Sequence, residues 1–246
     1  MHSSADAARV LPVMRRTSIR SALAGAALSG VLALAGCGGS GSGENGIAKE
    51  SPAAAVRAAQ AAVAKASSVH VAGTAHSSGA TVSLDLHIAS GRGATGTVSE
   101  QGLSFKLIDL GGKVYIYGSP AFYRRFGGSA AAKLFSGKWL QAPANTPEFA
   151  SLTSLTNLHA LTGKLFEHVA GLRSGGLTSF EGQRALKLQE TVHGGEILLA
   201  THGSPYPLLV AESGSEGGRI TFSEWNAPVP LKAPANAINI SELQHS

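Results

Sequence analysis

The segment Ala80-Thr-Val-Ser-Leu-Asp-Leu-His-Ile-Ala89 puts Val82, Leu84, Leu86 and Ile88 at every second position, with Thr81, Ser83, Asp85 and His87 between them. A period of two sends alternate side chains to opposite faces, so the segment reads as a strand with one face in a core and the other in water. Val69-His-Val-Ala-Gly-Thr-Ala75 before it reads as a hairpin partner, turning at Ser77-Ser78-Gly79. Downstream, Gly96–Glu100, Leu103–Leu110 and Lys113–Tyr117 continue a meander, with turns at Gly91-Arg92-Gly93, Gln101-Gly102 and Gly111-Gly112. Short turns between successive strands imply antiparallel pairing.

Helices are predicted on both sides of this meander. Ser51-Pro52 supplies a side-chain N-cap and a proline at the first helical position, ahead of the Ala-rich run Ala53–Ala66 with Val56 and Val63 as its apolar stripe. Ala121–Phe126 places Phe122 and Phe126 on one helical face; Gly127-Gly128 interrupts it and Ala130–Phe135 resumes. Gly137–Pro143 reads as extended. Leu152, Leu155, Leu158, Leu161 and Leu165 then recur at helical spacing up to about Val169, with Gly163 as a breakpoint. Strands return around Leu186 and Leu188, then over Glu196–Thr201, Pro207–Glu212 and Arg219–Trp225. The pattern predicts an α+β fold in which one antiparallel sheet carries helices against one face, as a single domain over residues 51–246.

Composition narrows the function. Of 246 residues, 43% are hydrophobic, only 14% are charged and 31 are glycine, which suits a β-rich domain with many tight turns. The net charge of +5 is concentrated at the amino end, where Arg9, Arg15, Arg16 and Arg20 face only Asp6. The remainder lacks the basic face that nucleic-acid binding needs.

The only cysteine, Cys37, excludes an intramolecular disulfide and a Cys-rich zinc site. It follows Met14-Arg-Arg-Thr-Ser-Ile-Arg20 and the 15-residue apolar stretch Ala22–Gly36, a basic start and short hydrophobic region typical of a secretory signal. A membrane-spanning helix wants about 20 apolar residues, so cleavage is the expected fate. The basic region fits Met14 as a start, leaving residues 1–13 as either an extension or the product of an upstream start. Leu34-Ala35-Gly36-Cys37 resembles the lipobox of bacterial lipoproteins, which implies cleavage before Cys37 and acylation of its thiol. The expected division is a signal peptide over 1–36, lipidated Cys37 with a flexible tether over 37–50, then the domain. Two or more acyl chains, at about 0.8 kcal/mol per buried CH₂, anchor stably where one is marginal.

Catalytic signatures are missing. Gly91-Arg-Gly-Ala-Thr-Gly96 fits the dinucleotide pattern, but strands are predicted on both sides of it rather than a strand and a helix. There is no G-x-S-x-G elbow and no HExxH. His70, His76 and His87 fall on adjacent predicted strands without ligand spacing and read as surface histidines. Asp85 and Glu100 read as solvated strand residues. No cofactor, metal or enzymatic activity is expected.

The lipobox, the Ala-rich helix, Ser67-Ser-Val-His-Val-Ala-Gly73 and Lys113-Val-Tyr-Ile-Tyr-Gly118 leading into Phe122-Tyr123 follow one another in a telling order. Gly137-Lys-Trp-Leu140, the leucine helices, Tyr206-Pro-Leu208 and Ile220-Thr-Phe-Ser-Glu-Trp225 complete it. Together they resemble the actinobacterial LppX/LprG-type lipoproteins, relatives in fold of the LolA and LolB carriers. The resemblance implies a curved antiparallel half-barrel with helices over its concave face, and a cavity that holds acyl chains of lipids or glycolipids. By alternation and family layout, Val82, Leu84, Leu86, Phe105, Leu107, Val114, Ile116, Leu186 and Leu188 line it, with Phe122, Phe126, Leu155 and Leu158 from the helices. Arg124 and Arg125 are placed to meet a lipid headgroup.

The expected function is that of a monomeric, membrane-anchored lipoprotein on the extracytoplasmic face. It binds and transfers lipid and works with an envelope transport protein. The alternative is an envelope interaction protein whose curved sheet is filled by its own side chains. Replacing Cys37→Ser should abolish incorporation of labelled fatty acid into the chain and release it from the membrane fraction. Unchanged labelling would remove the anchor from this account.

Overall fold

The alternation from Ala80 to Ala89 folds as strand β2 (Ala80–Ala89), with Leu84, Leu86 and Ile88 buried and Thr81 and Asp85 exposed. It lies between β1 (Ser68–Ser77) and β3 (Gly93–Glu100). With β4 (Leu103–Leu110) and β5 (Lys113–Gly118) these form the expected antiparallel meander. The computed structural model describes residues 43–77, 79–145, 150–166, 171–191, 194–215 and 217–243. The signal segment 1–36, Cys37, the start of the tether, Ser78 of the first hairpin turn and the end of the leucine helices at Val169 lie outside these.

The second half of the chain builds another meander from β7 (Leu172–Phe180), β8 (Gln183–Glu190), β9 (Glu196–Ala200), β10 (Pro207–Glu212) and β11 (Gly218–Ser223). Strand β7 was not legible in the sequence, because Leu172-Arg-Ser-Gly-Gly-Leu-Thr-Ser-Phe180 is mostly exposed and shows little alternation. Pairing of β1 with β11, which sets Val71 opposite Phe222 and Gly73 opposite Ile220, fuses the two meanders. With β6 (Leu140–Pro143) and β12 (Ile238–Asn239) the result is one twelve-stranded sheet, ordered β12-β6-β5-β4-β3-β2-β1-β11-β10-β9-β8-β7. Every pairing is antiparallel except β12 with β6. This open, curled sheet with helices is the α+β half-barrel that was expected.

A sheet this long buries an apolar face economically only by curling around it. Glycines permit the close approach of neighbouring strands at several points, among them Gly73 and Gly96. A Cβ on Gly73 would collide with the Arg219 carbonyl oxygen of β11, and one on Gly96 with the Asp85 carbonyl oxygen of β2. Register sets Leu84 opposite Gly73 and Leu86 opposite Gly96, so large side chains of β2 face gaps on both neighbours.

Helix α1 (Pro52–Val63) starts as predicted, with the Ser51 hydroxyl accepting from the Ala54 N–H at 3.3 Å. Its buried stripe of Ala55, Val56, Ala59 and Val63 joins one apolar cluster with Val71, Leu86, Leu107, Leu188 and Phe222 of the sheet. The small side chains of Ala55 and Ala59 keep the helix axis near the strands. The leucine stripe forms α3 (Ala150–Thr156) and α4 (Leu158–Leu165). They break at Asn157, whose carboxamide oxygen accepts from the Ala160 N–H at 3.0 Å, and not at Gly163.

The tether expected over residues 37–50 is shorter at its carboxyl end. Glu44 bridges to His202, Asn45 donates from Nδ2 to the Ala200 carbonyl at 2.8 Å, and Ile47 is buried in the main cluster. Residues Glu44, Asn45 and Ile47, expected in the tether, therefore belong to the packed fold. A buried isoleucine holds this segment down more firmly than its Gly-rich lead-in suggested.

Two glycine substitutions test the curl. Gly96→Ala should lower stability by about 1–3 kcal/mol through backbone collision. Gly163→Ala, in open space on α4, should raise it by up to about 1 kcal/mol. Denaturant midpoints of the two variants measure both effects.

Candidate functional site

Helix α2 (Pro120–Phe135) brings aromatic side chains to the free edge of the core. Its N-cap is Ser119, whose hydroxyl accepts from the Phe122 N–H at 3.1 Å, and Pro120 begins the first turn. Gly128 has φ 75° and ψ −175°, so α2 is two helical pieces joined by a kink at the glycine pair singled out in the sequence. Phe105, Phe122 and Phe126 form a ladder. The Phe105 and Phe122 ring centroids are 4.9 Å apart, and those of Phe122 and Phe126 are 4.8 Å apart. Phe105 sits on the inner sheet face, Phe122 is half-buried and Phe126 is 62% exposed, so the ladder runs from core to solvent. Gly118 makes room for it, since a Cβ there would strike the Phe122 ring.

Tyr123 pins this helix to the sheet. Its buried hydroxyl accepts from the Gly118 N–H at 2.9 Å and lies 3.3 Å from the Lys138 carbonyl, to which it can donate. Burial raises the phenol above its ordinary value, opposed by the Gly118 hydrogen bond and reinforced by nearby Tyr117. Sequence reading missed Tyr123 because its neighbours Phe122 and Phe126 carry the visible apolar spacing.

The thirteen residues expected to line a cavity fall into three groups. Leu86, Leu107, Val114, Leu186, Leu188 and Leu158 lie within the cluster at no more than 2% exposure. A surface with no accessible area touches no water-sized void, so Leu86, Leu107 and Leu188, at 0%, form a filled middle layer. Leu84, Phe105 and Ile116 retain 7–8% exposure, and Val82, Phe122 and Leu155 are partly buried against the same cluster. Register places Leu84, Val98 and Phe105 in one row across β2, β3 and β4, beside Phe122. The apolar cluster is thus less deeply buried at this end. Phe126 is the correction: it leans on Phe122 from outside and lines no interior wall. Its turn precedes the Gly128 kink.

Arg124 and Arg125 are exposed on α2 beside the ladder, with the Arg125 guanidinium 6.0 Å from the Phe126 ring centre. Arg124 also borders an open groove of about 360 Å³ with Pro120, Ala132 and Lys133. At another end of the sheet, an open cleft of about 520 Å³ lies between the β2–β3 turn, the β4–β5 turn and the α3–α4 junction. Asp109, on the inner face, accepts there from the Thr156 hydroxyl at 2.6 Å. Asp85 and Glu100 point to opposite faces of the sheet, since Glu100 shares a row with Val82. They form no acid–base pair. Gly91–Gly96 runs from a turn into β3 and not into a helix of its own, as the dinucleotide motif requires.

No protein-family model and no curated protein matches the chain. Solved structures do. The Mycobacterium tuberculosis lipoprotein LppX is 20% identical, with 74% of this chain and 98% of that one covered at a TM-score of 0.48. LprF from Mycobacterium bovis is 15% identical, covering 80% of this chain and all of that one at a TM-score of 0.49. MucB is 14% identical, covering 75% of this chain and 63% of that one at a TM-score of 0.39, and has also been solved in complex with Pseudomonas aeruginosa MucA. The chain is similar to these structures to that extent, and no residue role is carried over from them.

Tyr123→Phe leaves the buried Gly118 N–H unpaired and should cost about 1–2 kcal/mol at neutral pH. The phenol's folded pKa lies above the unfolded value near 10. Its contribution is therefore complete below that value and declines as pH rises through the folded one. Urea unfolding at pH 7 and pH 11 should show the gap between variant and parent narrowing at the higher pH.

Proposed function

We propose that the protein is an extracytoplasmic carrier, anchored through lipidated Cys37, that takes up the acyl chain of a lipid or glycolipid and passes it on within the envelope without covalent chemistry. The ladder Phe105–Phe122–Phe126 carries this reading. It provides a continuous apolar path from the inner sheet face to solvent, next to two exposed arginines suited to an anionic headgroup.

Magnitude sets the requirement. Withdrawing a sixteen-carbon tail from water is worth about 12 kcal/mol at roughly 0.8 kcal/mol per CH₂. A carrier must meet much of that with apolar wall. The partly exposed row of Val82, Leu84, Phe105 and Ile116, with Phe122 and Leu155 over it, supplies the start of such a wall. Deeper entry requires the helices over the filled layer to part from it. The protein acts as a monomer and meets an envelope transport partner in this reading.

That filled layer favours one rival: an anchored interaction protein whose core is complete and whose exterior binds an envelope partner. Lipid content separates them. The Cys37→Ser chain, which carries no anchor of its own, is purified and its organic extract analysed by mass spectrometry. The carrier yields about one lipid per chain. Phe126→Ser, a change at an exposed site, should then weaken uptake of a fluorescent fatty acid about tenfold with an unchanged melting temperature. A lipid-free extract and no uptake would leave the interaction protein.

A further inference from the structure

On the outer face of the sheet, away from the helices, register sets His70 of β1 directly opposite His87 of β2 and, on its other side, opposite Ser223 of β11. Asp85 lies two residues before His87 on β2 and so projects from the same face. The imidazole rings stack, with centroids 4.2 Å apart and planes 10° from parallel. One ligand atom from each of His70, Asp85 and His87 falls within 4.8 Å of the others. We propose that these three residues form a binding site for a divalent transition-metal ion of the zinc class.

Three observations support it. The donor set is two imidazole nitrogens and one carboxylate oxygen, which suits zinc, copper or nickel rather than calcium or magnesium. Both rings are also held from behind. His70 Nδ1 lies 3.1 Å from the Ser223 hydroxyl, and His87 Nδ1 lies 3.5 Å from a Glu224 carboxylate oxygen. Such outer partners fix the orientation of metal-binding histidines and leave Nε2 for the ion. His70 Nε2 already points at Asp85, with its carboxylate oxygen 2.8 Å away.

The dimensions are close to those of a bound state. A tetrahedral ion with zinc–nitrogen and zinc–oxygen bonds near 2.0–2.2 Å holds its ligand atoms about 3.3–3.6 Å apart. The site closes from its present 4.8 Å by side-chain rotation that turns one of the stacked rings towards the shared ion. The ligands sit on paired strands rather than loops, which limits the reorganisation required. Coordination by these three leaves a position open to water, as the exposure of Asp85 allows. The ion would tie β1 to β2 beside the β1–β11 seam that joins the two meanders.

His76, on the same strand as His70, bonds instead to the Thr81 hydroxyl at 3.1 Å and serves as the control. Calorimetric titration of the full chain with zinc chloride should show one saturable equivalent. His87→Gln and Asp85→Asn should each weaken it at least tenfold, and His76→Gln should leave it unchanged. In the unaltered protein, zinc should shift the ring NMR signals of His70 and His87 together and spare His76. Absence of saturable binding, or binding that survives His87→Gln with those ring signals unmoved, overturns the site.

Discussion

Everything in this fold depends on how tightly a twelve-stranded sheet can bend around its own apolar face. The bend is set where side chains are missing. Gly73 and Gly96 let the carbonyls of neighbouring strands approach into space that any Cβ would occupy. Leu84 and Leu86 of β2 stand opposite those two glycines, so the bend and the packing are specified by the same residues. Burial of Leu86 and Ile88 at 0% exposure is the reward for the curvature. With a bulkier residue at either glycine, the strands would separate and the helices would lose their common floor.

On that floor the two ends of the interior differ. Under α1 and α4 the layer of Leu86, Leu107 and Leu188 is closed. Towards α2 it loosens through Leu84, Phe105 and Ile116 and emerges at Phe126. Tyr123 explains how α2 can hold exposed aromatics without drifting, because its hydroxyl fixes the helix to the ends of β5 and of the segment before β6. The proposed uptake of an acyl chain would use this pinned helix beside the less deeply buried Leu84, Phe105 and Ile116. The outer face carries a different chemistry, with His70 and His87 stacked where the two meanders join.

Much of this was legible in the residues. The limits of β4 (Leu103–Leu110) matched the expected segment, and Ser51-Pro52 marked the start of α1, because alternation and capping are local signals. Strand β7 escaped, since its pairing with β8 is non-local and its own residues are mostly exposed. The helix break fell at Asn157, where a side-chain cap outweighed the weak propensity of Gly163. The alternating burial of Leu84, Leu86 and Ile88 follows from the period of two, whereas the exposure of Phe126 does not follow from its helical spacing. Helical spacing puts that residue with Phe122, on which its ring does pack, but the side chain stays 62% exposed. The pairing of His70 with Asp85 and His87 depended on register, which composition alone does not reveal.

The central claim is that an acyl chain runs along the aromatic ladder into the sheet's inner face. Intermolecular NOEs between a protonated palmitate and the otherwise deuterated, Phe-labelled protein test it directly. The account predicts cross-peaks from the lipid methylenes to the rings of Phe122, Phe105 and Phe126. Cross-peaks confined to Phe180, which packs with the separate cluster of β8–β10, or no cross-peaks at all, would contradict it.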